Sequence, residues 1–168
     1  MPGAWAWRSM ELCDLGRVVR LADALFPDHP EDAPRFAERQ ARGGDLCLVL
    51  ADEADALGGY AVAYPWPLDL VPPLNQPVAV LRDPGTAIYL HDLGVRPDLS
   101  GAGHARAGLA LLVERARDAG HTAIALVAVN GSAAFWQARG FAVRPTSEAA
   151  AAKVASYGPD ARYMVLPL

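Results

Sequence analysis

The residues best placed to do chemistry lie in one stretch, "YLHDLGVRPDLSGAGHARAGLALL", which passes from a strand-like pattern into a helix-like one. A cluster of glycines, "SGAGHARAG" at residues 100–108, stands where the helix should begin. Glycine inside a helix costs about 1 kcal/mol relative to alanine, so such a cluster indicates either a turn or a ligand site. The first turn of a helix has unpaired N–H groups and the positive end of the helix dipole, both of which attract anions. The stretch therefore predicts a main-chain site for a phosphate-like group.

Two familiar phosphate-binding patterns fit this cluster poorly. The P-loop needs Lys and then Ser or Thr after its last glycine; Gly103 and Gly108 have the right separation, but "LA" follows them. The dinucleotide fingerprint needs a third glycine where Gly101 and Gly103 would place Arg106. A glycine turn that binds no ligand is the third interpretation, and the cluster alone leaves it open.

Length and composition limit what else the chain can be. Its 168 residues predict a single domain, and the 52% of hydrophobic residues predicts a globular core. A net charge of −4 argues against a general nucleic-acid binder, so an anionic ligand must be held locally. The N-terminus lacks a secretion signal, and no apolar run approaches the roughly 18 residues of a membrane span. We expect a cytoplasmic protein that binds neither membrane nor nucleic acid.

Cysteine and histidine usage gives no sign of a metal. Cys13 and Cys47 are far apart in the sequence and match no zinc or redox spacing, so reduced thiols are the simpler interpretation. His29 and His121 lie in turns or at a helix end, without ligand partners at metal-binding spacing. We therefore assign no metal.

Hydrophobic periodicity and turn residues predict helices and strands around the glycine cluster. Two helices come early and a hairpin follows. A proline-rich segment over residues 65–84, either a structured loop or an irregular edge element, separates the hairpin from the strand before the cluster. In chain order the predicted elements are a strand at Trp5–Ser9, helices at Leu12–Phe26 and Glu31–Arg42, the strands "DLCLVLAD", "LGGYAVAYPW" and "TAIYLHDLGV", an amphipathic helix closed by Gly120, the strand "TAIALVAV", a short helix in "GSAAFWQAR", the strand "FAVRP", a short helix in "SEAAAAKVASYGPD" and the strand "ARYMVLPL".

Two linked stretches resemble a known family. "YLHDLGVRPDLSGAGHARAGLALL" and "ALVAVNGSAAFWQARGF" are similar to the two signature regions of the GNAT superfamily of N-acetyltransferases. Gly103 and Ala105 take the two small-residue positions of the first region. Asn130 takes the asparagine of the second region, which closes with Gly140 and Phe141. The resemblance implies an α/β (mixed α+β) fold: a single domain over residues 1–168 whose central, mostly antiparallel, twisted sheet has about six or seven strands with helices on both faces.

The resemblance implies acetyl-coenzyme A as a cosubstrate. In the family its pyrophosphate lies on the N–H groups of the glycine turn, here residues 101–106, where small residues allow close approach. Arg96, His104 and Arg106 would add local positive charge to an acidic protein. Ser100 departs from the usual Arg or Gln at its position and could instead cap the helix.

The rest of the cofactor would follow the strand before the turn. In the family the pantetheine arm pairs with the end of this strand like an added strand, which would use main-chain groups of Leu93 and Val95. Asn130 would contact the cofactor near the gap between the strands. The residues expected to bind the cofactor are Leu93, Gly94, Val95, Ser100, Gly101, Ala102, Gly103, His104, Ala105, Arg106, Asn130 and Trp136.

Acetyl transfer to an amine needs a group that takes a proton from the ammonium. His91 resembles in position a histidine of the arylalkylamine acetyltransferases, and the ordinary histidine pKa near 6.5 suits this role. Asp92 is the second candidate base. Strand alternation predicts that His91 shares one face with Tyr89 and Leu93, whereas Asp92 lies on the opposite face. A packed histidine and a structural carboxylate are the alternatives.

The departing thiolate needs a proton in its turn. The family often has a tyrosine on the helix after the asparagine, but Phe135 and Trp136 stand here. The indole N–H cannot release its proton at useful pH, so Trp136 is expected to pack against cofactor or core. Tyr163 is the candidate acid. Tyr157 or solvent could take the same role, and the alternative for both tyrosines is ordinary packing.

The resemblance implies transfer of an acetyl group from acetyl-coenzyme A to a primary amine of a small molecule or peptide, by direct attack in a ternary complex. The acceptor would lie near the early helices and the proline-rich loop, where Tyr60, Tyr64, Trp66 and Leu68 form either an aromatic pocket or plain core. Because the helix tyrosine is missing, a non-catalytic domain that binds acyl-coenzyme A as a sensor or scaffold is the alternative. Family members often dimerise through late strands, so a homodimer is expected by resemblance only.

Overall fold

Seven strands form one sheet in the computed structural model, which describes residues 3–79 and 81–168. They are β1 (Ala6–Ser9), β2 (Leu48–Ala51), β3 (Leu57–Pro65), β4 (Ala87–Val95), β5 (Ala123–Ala128), β6 (Ala142–Val143) and β7 (Arg162–Pro167). Their order in the sheet is β1-β2-β3-β4-β5-β7-β6. Neighbouring strands are antiparallel except β4 and β5, which are parallel. The mostly antiparallel sheet expected from the resemblance is confirmed.

Helices cover both faces of this sheet. They are α1 (Leu15–Leu25), α2 (Ala33–Gly43), α3 (His104–Asp118), α4 (Ala133–Ala138) and α5 (Glu148–Ala155). Val18 of α1, Phe36 of α2 and Val154 of α5 are buried in one core. Leu112 of α3 and Trp136 of α4 are buried in the other. Full burial of a large apolar side chain stabilises a protein by about 1.5–3 kcal/mol, so the two cores fix the helices against the sheet.

The helix ends follow the signals in the sequence. The first helix ends at Leu25, just before Pro27, and Pro34 lies in the first turn of α2. The alanine-rich segment forms the helix α5. The Ser147 side chain caps α5 by accepting a hydrogen bond from the Ala150 N–H at 3.2 Å. Over the described ranges, no helix is both long and apolar enough to cross a membrane.

The parallel pair β4–β5 is joined along only part of its length. Ala87–Tyr89 pair with Ala123–Ala125, and the pairing stops there. Beyond Tyr89, β4 continues for six residues beside β3 but separates from β5. The separated ends leave a gap in the middle of the sheet.

A β-bulge in β4 changes which side chains face the gap. Val62 of β3 pairs with Asp92 and the next residue, Ala63, pairs with Leu90, so His91 is an extra residue in β4. The predicted alternation is therefore wrong at this point: His91 contacts Tyr64 and Tyr89, and Asp92 accepts a hydrogen bond from Tyr60, on the same face. The bulge places both titratable side chains on the α1–α2 side of the sheet.

In its described residues, the proline-rich segment after β3 is a loop held by specific contacts, which is one of the two predicted forms. Trp66, Val71 and Val78 are buried in the core on the α1–α2 side. The Trp66 indole N–H donates to the Leu70 carbonyl at 3.1 Å, and the Asn75 N–H donates to Glu31 at 2.9 Å. The loop is thereby fastened to the connection between α1 and α2; Val80 lies outside the described residues.

Candidate active site

A cavity of about 230 Å³ opens where β4 and β5 separate. Phe26 packs with the core on the α1 side and Trp136 belongs to the core on the α4 side, so the cavity reaches through the sheet. It contains the two predicted bases and several predicted cofactor residues. The lining residues are Phe26, Leu90, His91, Asp92, Leu93, Ala105, Leu126, Val127, Val129, Asn130, Ser132, Phe135 and Trp136.

A second cavity, of about 320 Å³, lies against the glycine turn. It is lined by Val95, Leu99, Ser100, Gly101, Gly103, His104, Ala105, Arg106, Phe135 and Arg139. Ala105 and Phe135 line both cavities, so the two lie side by side. Together they reach from the N-terminus of α3 to the gap between β4 and β5.

The glycine turn has the geometry of an anion site. Gly101 and Gly103 have φ of 83° and 80°, a left-handed conformation that only glycine adopts easily. A Cβ at either position would meet no described atom within 4 Å, so the space over the turn is open. The first bond of α3 runs from the Ala107 N–H to the Gly103 carbonyl. The N–H groups of residues 104–106 thus precede the helical ladder and suit a pyrophosphate.

Ser100 does not cap α3, so that prediction is wrong. The N-cap is Gly103, three residues later. The Ser100 hydroxyl donates to the Pro97 carbonyl at 2.8 Å within the short 3-10 turn Pro97–Leu99. The left-handed Gly101 and Gly103 separate this turn from the helix, which moves the serine away from the cap position.

The positive charge at the second cavity differs from the prediction. Arg96 is paired with Asp98 at 2.7 Å and lies over the Trp5 ring, so much of its charge is compensated. His104 and Arg106 line the cavity as expected. Arg139, which the sequence interpretation missed, also lines it, with its guanidinium 5.0 Å from the Phe135 ring centroid. Arg139 stands directly before Gly140, which closes the second family region, and this position could have suggested that it lies near the cofactor site.

Two predicted cofactor residues offer only their main chain. A Cβ at Gly94 would meet Leu25 and Phe26 at 2.9 and 3.0 Å, so this residue faces α1 and allows close packing there. Ala102 is exposed between the two left-handed glycines. Asn130, with φ of 54°, and Trp136 both line the first cavity.

Glu31 joins His91 in a buried ion network that the sequence interpretation did not foresee. One Glu31 oxygen bonds the His91 Nε2 atom, while the other lies 2.5 Å from the Arg39 guanidinium and accepts the Asn75 N–H. The Glu31, Arg39 and His91 side chains are 3%, 1% and 1% exposed. The sequence pattern predicts Glu31 in the first turn of α2, but α2 begins at Ala33 and Glu31 lies in the preceding connection.

The two carboxylates of this region have opposite pKa shifts. Burial acts to raise the pKa of Glu31, but the hydrogen bond to His91 and the charges of His91 and Arg39 hold that pKa below its usual range. Loss of solvent raises the pKa of Asp92 to about 6, although the charges of His91 and Arg39 act to lower it. The Tyr60 hydroxyl donates to Asp92 at 3.1 Å. Asp92 can therefore exchange a proton near neutral pH.

The side chains of Glu31, His91 and Asp92 also lie close enough together to share a metal ion. Each offers one ligand atom, and these atoms lie within 4.8 Å of one another. The Arg39 guanidinium, however, already places a positive charge against Glu31. An ion pair network explains the cluster without a cation, since a nearby guanidinium opposes cation binding.

The structure does not bring Tyr163 to the candidate bases. Its hydroxyl accepts the Asp69 N–H at 3.0 Å, and its side chain lines a separate cavity beside α5. Tyr157 donates its hydroxyl to the Pro72 carbonyl at 2.5 Å, and burial raises the pKa of both tyrosines. Neither is poised to give a proton to a group in the β4–β5 cavity, so the assignment of Tyr163 as the acid is corrected.

Of the two alternatives for the aromatic residues around the proline-rich loop, the structure shows plain core. Tyr60, Tyr64 and Trp66 are buried at 0%, 0% and 6% exposure, and Tyr64 packs edge-on against Trp66 with ring centroids 6.1 Å apart. Leu68 packs partly buried against the same core. Phe26, predicted only as the end of the first helix, is the aromatic side chain that lines the cavity from this side.

Comparisons with known proteins agree with this architecture. A family model described as the acetyltransferase (GNAT) family matches residues 8–141. No curated protein sequence matches this chain.

Solved structures with the same fold have low sequence identity. Ard1 from Thermoplasma volcanium is 13% identical, with 98% of each chain covered and a TM-score of 0.75. Arabidopsis thaliana Naa50, solved with the bisubstrate analogue CoA-Ac-MVNAL, is 18% identical, with 96% of each chain covered and a TM-score of 0.69. The ribosomal-protein-S18-alanine N-acetyltransferase from Escherichia coli is 20% identical, with 98% of this chain and 94% of that chain covered and a TM-score of 0.66. The family match over most of the chain and the shared fold lead to one conclusion: this chain belongs to the GNAT acetyltransferase family.

Proposed function

We propose that this protein is an acetyl-coenzyme A-dependent N-acetyltransferase that acts on a primary amine of a small molecule or peptide by direct attack in a ternary complex. The observation that carries the proposal is the adjacency of the two cavities. One lies against open N–H groups at the start of α3, and the other contains two titratable side chains. Family membership supports acetyl-coenzyme A as the donor.

The residues at the second cavity fit the phosphate end of this cosubstrate. The N–H groups of residues 104–106 and the α3 dipole would hold the pyrophosphate, and Arg106 and Arg139 would add charge. The unpaired edge of β4 beyond Tyr89 would receive the pantetheine arm along Leu93 and Val95. The bound thioester supplies an acyl group that is reactive towards an amine.

Proton transfer is the task of the chain's own residues at the first cavity. At neutral pH a free primary amine is mostly an ammonium ion, which is not a nucleophile. His91 or Asp92 would take the proton, and the amine nitrogen would then bond the acetyl carbon as the carbon–sulfur bond breaks. The nitrogen would lose its second proton to solvent as the amide forms. Because neither Tyr157 nor Tyr163 lines this cavity, we assign protonation of the thiolate to solvent.

A calorimetric titration tests the cosubstrate. Acetyl-coenzyme A should bind in the micromolar range typical of enzyme substrates, on the order of 1 μM to 1 mM, whereas ATP and NAD should bind far more weakly. The P-loop and dinucleotide patterns that the glycine cluster fails to complete make those two nucleotides the matched controls. An isotherm without affinity for any coenzyme A ester would end the proposal.

A non-catalytic sensor or scaffold is the second candidate function. Phe135 and Trp136 occupy the helix where the family often has an acidic tyrosine, which is the observation in its favour. Such a protein would bind acetyl-coenzyme A equally well, so binding alone does not separate the two candidates.

A further inference from the structure

We propose that Glu31 is a positioning residue for the base: it holds the His91 ring with Nε2 protonated, so that Nδ1 is the atom that accepts the proton of the acceptor amine. The inference rests on the proposed function. It concerns a residue in the α1–α2 connection that touches His91 and not the reacting atoms.

The contacts of Glu31 fix its carboxylate on three sides. One oxygen meets His91 Nε2, and the other meets the Arg39 guanidinium at 2.5 Å and the Asn75 N–H at 2.9 Å. A carboxylate with these partners stays ionised, since both Arg39 and the N–H group stabilise its negative charge. An ionised carboxylate only accepts hydrogen bonds, so the proton between the two residues belongs to Nε2.

The other ring nitrogen of His91, Nδ1, is not bonded to Glu31. His91 Nδ1 is buried and has no hydrogen-bond partner among the residues described, and His91 lines the β4–β5 cavity. A neutral imidazole with a proton on Nε2 has its lone pair on Nδ1. An unpartnered buried acceptor is costly unless a ligand or a water molecule uses it.

The proton balance of the step is simple. One proton moves from the acceptor's ammonium to Nδ1, which leaves a neutral amine and an imidazolium. The second N–H of that imidazolium already faces the Glu31 carboxylate, so the new positive charge forms beside a fixed negative one. Carboxylate–imidazole pairs stabilise the protonated ring in this way in other general-base sites.

The other charged and titratable groups around the ring do not replace Glu31. Arg39 from α2 is positive, and Asp92 on the same strand is bonded to Tyr60. Tyr64 from β3 and Tyr89 from β4 pack their rings 6.3 and 5.9 Å from that of His91. Within the described part of the chain, Glu31 is the carboxylate that hydrogen-bonds His91.

Substitution by glutamine tests this role. Glu31→Gln keeps the size of the side chain but removes its charge, so kcat should fall by about 10- to 100-fold with little change in KM for acetyl-coenzyme A. The rising limb of the kcat–pH profile should move to lower pH, because the carboxylate anion beside the ring is gone. Glu31→Asp should restore part of kcat and the position of the limb. Glu53→Gln, the same substitution in the exposed β2–β3 turn, should match the wild type.

A pH profile that stays in place in a folded Glu31→Gln protein would overturn the inference, since a merely structural role changes stability and not this limb. If the variant does not fold, nitrogen NMR of the wild-type protein tests the inference by showing which ring nitrogen of neutral His91 carries the proton. The proposal predicts the Nε2–H tautomer for neutral His91, and an Nδ1–H tautomer would refute it. This measurement does not depend on turnover, so its failure is distinct from a failure of the proposed function, which would show as absent acetyl-coenzyme A binding.

Discussion

One inserted residue determines the chemistry available in the cavity. The bulge at His91 turns both His91 and Asp92 towards the α1–α2 side of the sheet. In a regular strand, one of these side chains would point into the opposite core, where Leu90 and Leu93 pack against α3 and α4. The bulge therefore gives one cavity two groups that can exchange protons.

Asp92 should make stability depend on pH. Its pKa is raised in the folded protein, to about 6, so the folded state holds a proton that the unfolded state gives up near pH 4. This contribution to stability is complete below the unfolded pKa and is lost as the pH rises through about 6. Asp92→Asn should remove this decline, which we expect to be on the order of 2 kcal/mol, in urea denaturation between pH 4.5 and 7.

The comparison between wild type and variant isolates Asp92, because all other titratable groups are common to both. Asp118→Asn, the same substitution at the exposed end of α3, serves as the control and should follow the wild-type curve. A wild-type decline that persists unchanged in Asp92→Asn would show that this carboxyl is not the group responsible.

Candidate bases could be predicted from sequence, but their partners could not. His91 and Asp92 stand out because titratable residues interrupt an otherwise apolar strand. Glu31 and Arg39 meet His91 only after the α1–α2 connection folds onto β4, and 60 residues separate Glu31 from His91. The sequence gives no local sign of the bulge, because a strand with one extra residue has the same residue types as a regular strand.

At the level of elements, the N-terminus of α3 is the central feature. Two left-handed glycines lead into a 15-residue helix whose first N–H groups face an open cavity. The helix itself is held by Leu109, Leu112 and Ala116, which are buried against the sheet. Binding of an anion there needs both the free N–H groups and the absence of side chains over them.

Gly103→Glu should abolish binding of acetyl-coenzyme A. A carboxylate about 4 Å from a phosphate costs on the order of 4 kcal/mol at an effective dielectric constant of about 20, which corresponds to a loss of affinity of at least about 100-fold. Calorimetric titration gives the affinity directly. Gly120→Glu provides a matched control, because Gly120 closes the other end of α3 with φ of 84° and equally open space.

Both variants should lose stability, since each forces a glutamate into a left-handed conformation, and the Gly120 variant should lose slightly more because its carboxylate lies at the negative end of the α3 dipole. Only the Gly103 variant should lose affinity. Unchanged affinity in the Gly103 variant would refute the glycine turn as the phosphate site.

The elements themselves were largely predictable, and the errors were local. Periodicity and Gly or Pro boundaries were sufficient for α1, α2 and the β2–β3 hairpin. The position of the α3 cap was not, because Ser100 is a good N-cap residue by type, and only the conformations of Gly101 and Gly103 decide where the helix begins.

At the scale of the whole molecule, the gap between β4 and β5 organises the site. It crosses the sheet between two cores, with Phe26 on one side and Trp136 on the other. The donor can approach along the α3 and α4 side while an amine meets the titratable groups on the α1 and α2 side. The resemblance to the family predicted the gap, whereas periodicity alone predicted only the elements, because the separation of two paired strands depends on the twist of the whole sheet.

The most direct test of the account is the rate of free thiol release from acetyl-coenzyme A, measured across a panel of small amines and peptides. We predict release that depends on the amine, and that His91→Ala lowers by about 100-fold without a change in affinity for acetyl-coenzyme A. A protein that binds acetyl-coenzyme A but releases no thiol with any amine would contradict the account and favour a sensor or scaffold.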